Sequence, residues 1–195
     1  MNESSNKVKE RIIGVTTELI ERYNGDTKCI TARMIAEKAD IGLGLINYHF
    51  GCKDNLITEC VQRIIGKIAA QFRMDQKFSS DKERLIAAAT SVFDFLFEHA
   101  AISRISILGD FENYTRDCNS VYTQNGFMRT IQNDRSESDK LLLAFILTSA
   151  MQAAFLASET VHHLLGYDFT KSEDRASYIK KLVEILFEGV VRADE

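Results

Sequence analysis

Proline is absent from all 195 residues. Proline removes a backbone donor and clashes with the preceding turn of a helix. A chain without it suits long helices and does not depend on proline-set turns or linkers. Cysteine is scarce: Cys29, Cys52, Cys60 and Cys118 are the four. None forms a C-x-x-C pair of the kind that holds zinc or runs redox chemistry. The opening residues, MNESSNKVKER, are polar and lack the apolar core of a secretory signal. Free thiols in a reducing, cytoplasmic setting are therefore expected. Also missing are a nucleophile elbow, a phosphate-cradling glycine loop and a paired acid–base motif. No repeat or low-complexity segment is present. These absences point away from an enzyme, and no cofactor or metal is expected.

An excess of positive charge is missing too. The net charge is −4, which does not advertise a nucleic-acid binder. Residues 1–56 balance eight basic against eight acidic side chains, so the acidic excess lies entirely in the remainder. Position, not net charge, has to decide.

What is present is helical periodicity, and an all-α fold is expected. Val8, Ile12, Val15, Leu19 and Tyr23 mark one helical face, closed by Asn24-Gly25. Thr31 is a predicted N-cap for a short helix to Lys38. A second short helix covers about 43–49, and a longer one runs from Lys53 to Phe72 with Ile57, Val61, Ile64 and Ile68 inward. Ser80 and Glu83 form a predicted capping box for a helix carrying Leu85, Ala88, Val92 and Leu96. It breaks near His99, and 101–111 continues helically. Residues 112–135 resist assignment. Lys140–Leu165 is predicted as one helix ended by Gly166. Thr170 and Glu173 are predicted to cap a last helix reaching about Arg192.

The segment from Ile30 to Leu56, ITARMIAEKADIGLGLINYHFGCKDNL, has the pattern of a helix-turn-helix. Ile35, Ala36, Ala39, Ile41, Ile46 and Phe50 form its small core, and Ala39-Asp40-Ile41 leaves room only for a sharp reversal. The second short helix is the one that enters a major groove. Leu43 and Leu45 there suit thymine methyls, and Asn47 suits adenine, because an amide pairs bidentately with it.

Over Thr31, Ile35-Ala36, Ala39, Ile41, Gly44, Ile46, Tyr48-His49-Phe50-Gly51, Lys53 and Leu56 the chain resembles the tetracycline-repressor (TetR) family of bacterial regulators. The resemblance covers about 45 residues. It implies a DNA-binding domain over 1–52 and a helical ligand-sensing and dimerisation domain over 53–195. It also implies a homodimer on a palindromic operator in double-stranded DNA, with a small-molecule effector. Tyr48, His49 and Lys53 would touch phosphates, and Thr31 and Arg33 would anchor the preceding helix. Leu43, Leu45 and Asn47 depart from the family, which often has polar, small and aromatic residues at those places. The alternative is a helical interaction or ligand-binding protein that keeps the fold without specific DNA binding.

Three further expectations concern the larger domain. Phe93, Phe97, Phe111, Tyr122, Phe127, Met151 and Phe155 are predicted to wall an effector pocket. Leu143, Leu147, Ala150, Ala154, Ala157 and Val161, with Leu182 and Leu186 of the last helix, are predicted to meet a partner subunit as a four-helix bundle. The uncharged run 141–157 approaches the length of a membrane span. Thr148, Ser149 and Gln152 interrupt it, so no membrane insertion is expected. His162-His163 diverge by about 100° on a helix, which disfavours a shared metal. Cys52 and Cys60 are the candidate thiol pair, with Lys53 favouring the Cys52 thiolate.

Overall fold

The computed structural model describes residues 3–71 and 78–189, and it is all-α, with no strand among those residues. The helices are α1 (Glu3–Arg22), α2 (Ala32–Lys38), α3 (Gly44–Phe50), α4 (Lys53–Gln71), α5 (Asp81–Glu98), α6 (Ala100–Glu112), α7 (Asn119–Thr130), α8 (Glu137–Leu156), α9 (Ser158–Leu165) and α10 (Ser172–Gly189). Phe72, Val190 and Arg192 lie outside the described residues, as does the side chain of Ile68.

The chain divides into two compact units, Met1–Arg73 with Ala101–Glu112, and Met74–Ala100 with Asn113–Glu195. The first compact unit thus takes in α4 and α6 beside residues 1–52. The reason is burial. Leu56, Ile57, Cys60 and Val61 of α4 and Ile102 of α6 share one core with Ile12, Ile13, Leu19 and Ile20 of α1.

In the first unit, the turn after α1 contains Asn24-Gly25, both in the left-handed region (φ 49° and 74°). Gly25 is there for two reasons, its backbone conformation and its neighbour. A Cβ at Gly25 would lie 2.5 Å from that of Ala101, so only glycine lets α6 approach this turn. Thr31 caps α2 as predicted, its hydroxyl oxygen accepting from the Met34 N–H at 3.1 Å. Asp40 takes a positive φ of 50°, and the Ile41 N–H returns to the Ala36 carbonyl at 3.0 Å. That closes the sharp reversal between α2 and α3.

In the second unit, α8 is central. Leu143, Ala144, Leu147, Met151, Ala154 and Phe155 are buried, together with Phe127 of α7, Leu85, Ala89 and Phe93 of α5, and Ile179 and Val183 of α10. Ser80 caps α5 by accepting from the Glu83 N–H at 3.2 Å. The reciprocal half of the box is shifted by one residue, because the Glu83 carboxylate takes the Ser79 N–H at 3.1 Å. The predicted Thr170–Glu173 box gives way to two aspartates. Asp168 accepts from the Thr170 N–H at 3.1 Å, and Asp174 accepts from the Asp168 N–H at 2.8 Å. The Asp168 carboxylate also accepts from the Thr170 hydroxyl at 2.7 Å and pairs with Lys171 at 3.3 Å, and the Thr170 and Lys171 contacts together push its carboxyl down to about 2. The predicted single helix 140–165 is broken at Ala157 (φ −109°, ψ 28°), giving α8 and α9. Residues 112–135, unassigned from sequence, contain α7.

A candidate nucleic-acid interface

The first unit presents α3 as a short helix held from one side. Ile46 and Phe50 are buried, while Leu43 (52% exposed), Leu45 (38%) and Tyr48 (77%) stand in solvent, with Asn47 also exposed. Gly51, at φ 78°, ends the helix, its N–H donating to the Asn47 carbonyl at 2.9 Å. His49 is half-buried, its ring edge-on to Tyr48 at 5.0 Å and tilted against Phe50 at 6.0 Å. Arg33 projects from α2 and reaches Glu37 at 3.4 Å, an exposed pair of small energetic weight. Thr31, Arg33, Leu43, Leu45, Asn47, Tyr48 and His49 thus belong to one helix-turn-helix.

Lys53 is placed differently from the sequence expectation. Its ammonium donates to the Thr27 and Ile30 carbonyls, at 3.0 Å each, and lies 3.7 Å from Asp54. Those carbonyls flank the one-turn 3-10 segment Thr27–Cys29 that leads into α2. Sequence reasoning had no sign of this, since the partners lie 26 and 23 residues earlier.

The predicted thiol pair does not form a site. Cys52 is exposed but Cys60 is buried, and burial pushes the Cys60 thiol up to about 11. Cys29 is exposed and leans on Asp26, whose carboxylate pushes that thiol up. His162 and His163 have ring centroids 5.6 Å apart, and His162 Nδ1 faces the Tyr167 carbonyl at 3.3 Å.

The seven predicted pocket residues, six of them in the second unit, separate into three groups. Phe93, Phe97 and Phe155 sit in an interlocked aromatic cluster, with Phe93–Phe97 at 5.2 Å and Phe97–Phe155 at 5.1 Å. Phe169 and Tyr178 complete it, at 5.1 and 5.6 Å from Phe93. Arg175 lies over Phe97 at 5.6 Å and pairs with Asp94. Phe127 and Met151 are buried on α7 and α8. Phe111 and Tyr122 are not gathered with them. Phe111 belongs to the first unit and is 52% exposed, and Tyr122 is 63% exposed. Gln124 and Gln152, polar residues that the sequence sets among the aromatics of this unit, lie on a polar seam of α7 and α8, and sequence reasoning missed their partners. There Gln152 donates to the Ser120 hydroxyl at 2.7 Å, and Gln124 donates to the Tyr114 hydroxyl at 2.6 Å. The Thr148 hydroxyl is buried in α8 without a hydrogen-bond partner. Ser120 with Gln124, and Thr148 with Gln152, stand at i, i+4 spacing, which is the signal that could have found them.

The predicted dimer stripe is corrected in part. Leu143, Leu147 and Ala154 are buried in their own unit's core, Ala150, Val161, Leu182 and Leu186 are half-buried, and Ala157 is exposed. The helix is apolar around its whole circumference, so periodicity alone does not say which apolar face turns inward. The exposed face carries Leu142, Phe145 and Ile146. α8 is long and apolar enough to cross a membrane, but its other face is core.

The chain thus combines a helix-turn-helix in its first unit with a second, all-helical unit. Neither protein-family models nor curated proteins match this sequence. Among solved structures, the chain is similar to a TetR transcriptional regulator from Rhodococcus sp. RHA1, with a TM-score of 0.61, 12% identity, and 96% of this chain and 98% of that one covered. It is also similar to a TetR-like transcriptional regulator from the same organism, with a TM-score of 0.53, 17% identity, and coverage of 93% and 96%. The chain has the TetR-type regulator fold over nearly its whole length.

Proposed function

We propose that the protein is a transcriptional regulator, a repressor, that binds an inverted-repeat operator as a homodimer and responds to a small molecule held in its second unit. One observation carries this. α3 is fixed on its inner side by Ile46 and Phe50 and, with Leu43 at its N-cap, bares Leu45, Asn47 and Tyr48 outward. A short helix presented so after a sharp turn is how a major groove is read. Asn47 supplies the amide for a base edge, and Tyr48, His49, Arg33 and Thr31 supply phosphate contacts. Lys53 serves by bracing the segment before α2.

One such helix spans only a few base pairs, so selectivity needs two copies. The partner copy is proposed to cover Leu142, Phe145 and Ile146 of α8, with Ile185 of α10, an apolar surface that water otherwise meets. The effector is proposed to enter the α7–α8 seam, where Thr148, Gln152, Ser120 and Gln124 supply hydrogen bonds beside Phe127 and Met151. It alters DNA affinity only by binding the two states unequally.

Selection of random duplexes by the full chain at low salt tests this. An enriched inverted repeat, bound with steep salt dependence, is expected. No enrichment removes the regulator reading and leaves the interaction protein, which the exposed Leu43 and Leu45 would then serve.

A further inference from the structure

α3 is poor in the chemistry usually used to read DNA. It contains no lysine, arginine, aspartate or glutamate, and the exposed large side chains at its start are Leu43 and Leu45. Exposed leucines are unfavourable in water and gain by meeting an apolar group. Gly44, between them, is equally unexplained by the fold. Its φ is not in the left-handed region, and a Cβ built on it meets nothing within 4 Å. Neither backbone strain nor packing requires glycine at this position, yet glycine is the weakest helix former after proline. Gly44 lies one turn before the exposed Tyr48, so it sits on the outward face.

Both features suit one occupant. The thymine C5-methyl is the apolar group that base pairs display in the major groove. We propose that α3 reads its half-site chiefly by apolar contact, with Leu43 and Leu45 packing on thymine methyls and Gly44 leaving the space for the helix backbone to come close. The proposal rests on the regulator reading above and specifies what that regulator recognises.

Deoxyuridine substitution tests it, because it removes the methyl and keeps every hydrogen-bonding group. In the selected duplex, each thymine is replaced singly. Affinity is expected to fall about fourfold for each methyl buried against a leucine. The same replacement should leave the affinity of either Leu43→Ala or Leu45→Ala unchanged at the position that leucine reads. Gly44→Ala should melt at a higher temperature than the parent protein and bind the duplex less tightly. A selected duplex bound equally well with uracil at every position overturns methyl reading alone. A Gly44→Ala protein that binds as tightly as the parent overturns the close approach. Failure to select any duplex overturns the regulator reading and this proposal with it.

Discussion

Lys53 stands at the first position of α4, where the helix dipole disfavours a cation. Its ammonium is nonetheless held there by the Thr27 and Ile30 carbonyls. Hydrogen bonds from a charged donor contribute about 1.5–3 kcal/mol each in total context, less where water competes. Lys53→Met should therefore lower stability by about 2 kcal/mol in urea titration, with the salt dependence of DNA binding unchanged. A salt slope flattened by about one unit at unaltered stability would return the ammonium to phosphate. Arg175 is the other decisive single residue. It is buried, stacked over Phe97, bonded to the Phe169 carbonyl at 2.9 Å, and paired with Asp94. Asp94→Ala leaves that cation buried without its carboxylate, and a loss of about 3 kcal/mol in thermal or urea unfolding is expected. A loss under about 1 kcal/mol would mean that the carbonyls and ring suffice. Neither arrangement was legible in the sequence, since the Asp94–Arg175 pair spans 81 residues.

Among the helices, those with one apolar stripe were legible and those apolar all round were not. α1, α2 and α3 have the faces their spacing predicts, with Ile12, Leu19, Ile35 and Ile46 inward. α8 shows the ambiguous case, and two substitutions separate its faces. Phe145→Glu should leave a folded protein that sediments as a monomer, because it charges the exposed face. Ala154→Glu should lower the melting temperature steeply whatever the oligomeric state, because Ala154 is buried in its own unit. If the Phe145→Glu protein remains a dimer, the partner does not sit on this face. The break at Ala157 and the existence of α7 were also hidden. Polar residues fill much of the 112–135 segment, yet Ser120, Gln124 and Phe127 take its buried side. Buried polar side chains weaken the hydrophobic period on which helix prediction relies.

At the scale of the whole molecule, the first unit is not contiguous in sequence. Its core includes Ile102, and Ala101 packs against the Gly25 turn. A polypeptide of residues 1–73 lacks both. It should show less helix by circular dichroism and melt at a lower temperature than the full chain. Addition of a peptide spanning 100–112 should restore part of the signal. A 1–73 polypeptide as stable as the full protein would show that α6 contributes little to this core.

The sequence by itself determined the all-α class, the cap at Thr31, the Asn24-Gly25 stop and the helix-turn-helix with its inward and outward residues. These depend on interactions within four residues or on one helical period, so they are written locally. Tertiary structure alone decided where Lys53 and Arg175 direct their charges, which side of α8 is core, and that α6 joins α1 and α4. Each of those depends on residues brought together from distant parts of the chain. A local period marks a face as apolar, but only packing chooses what that face meets.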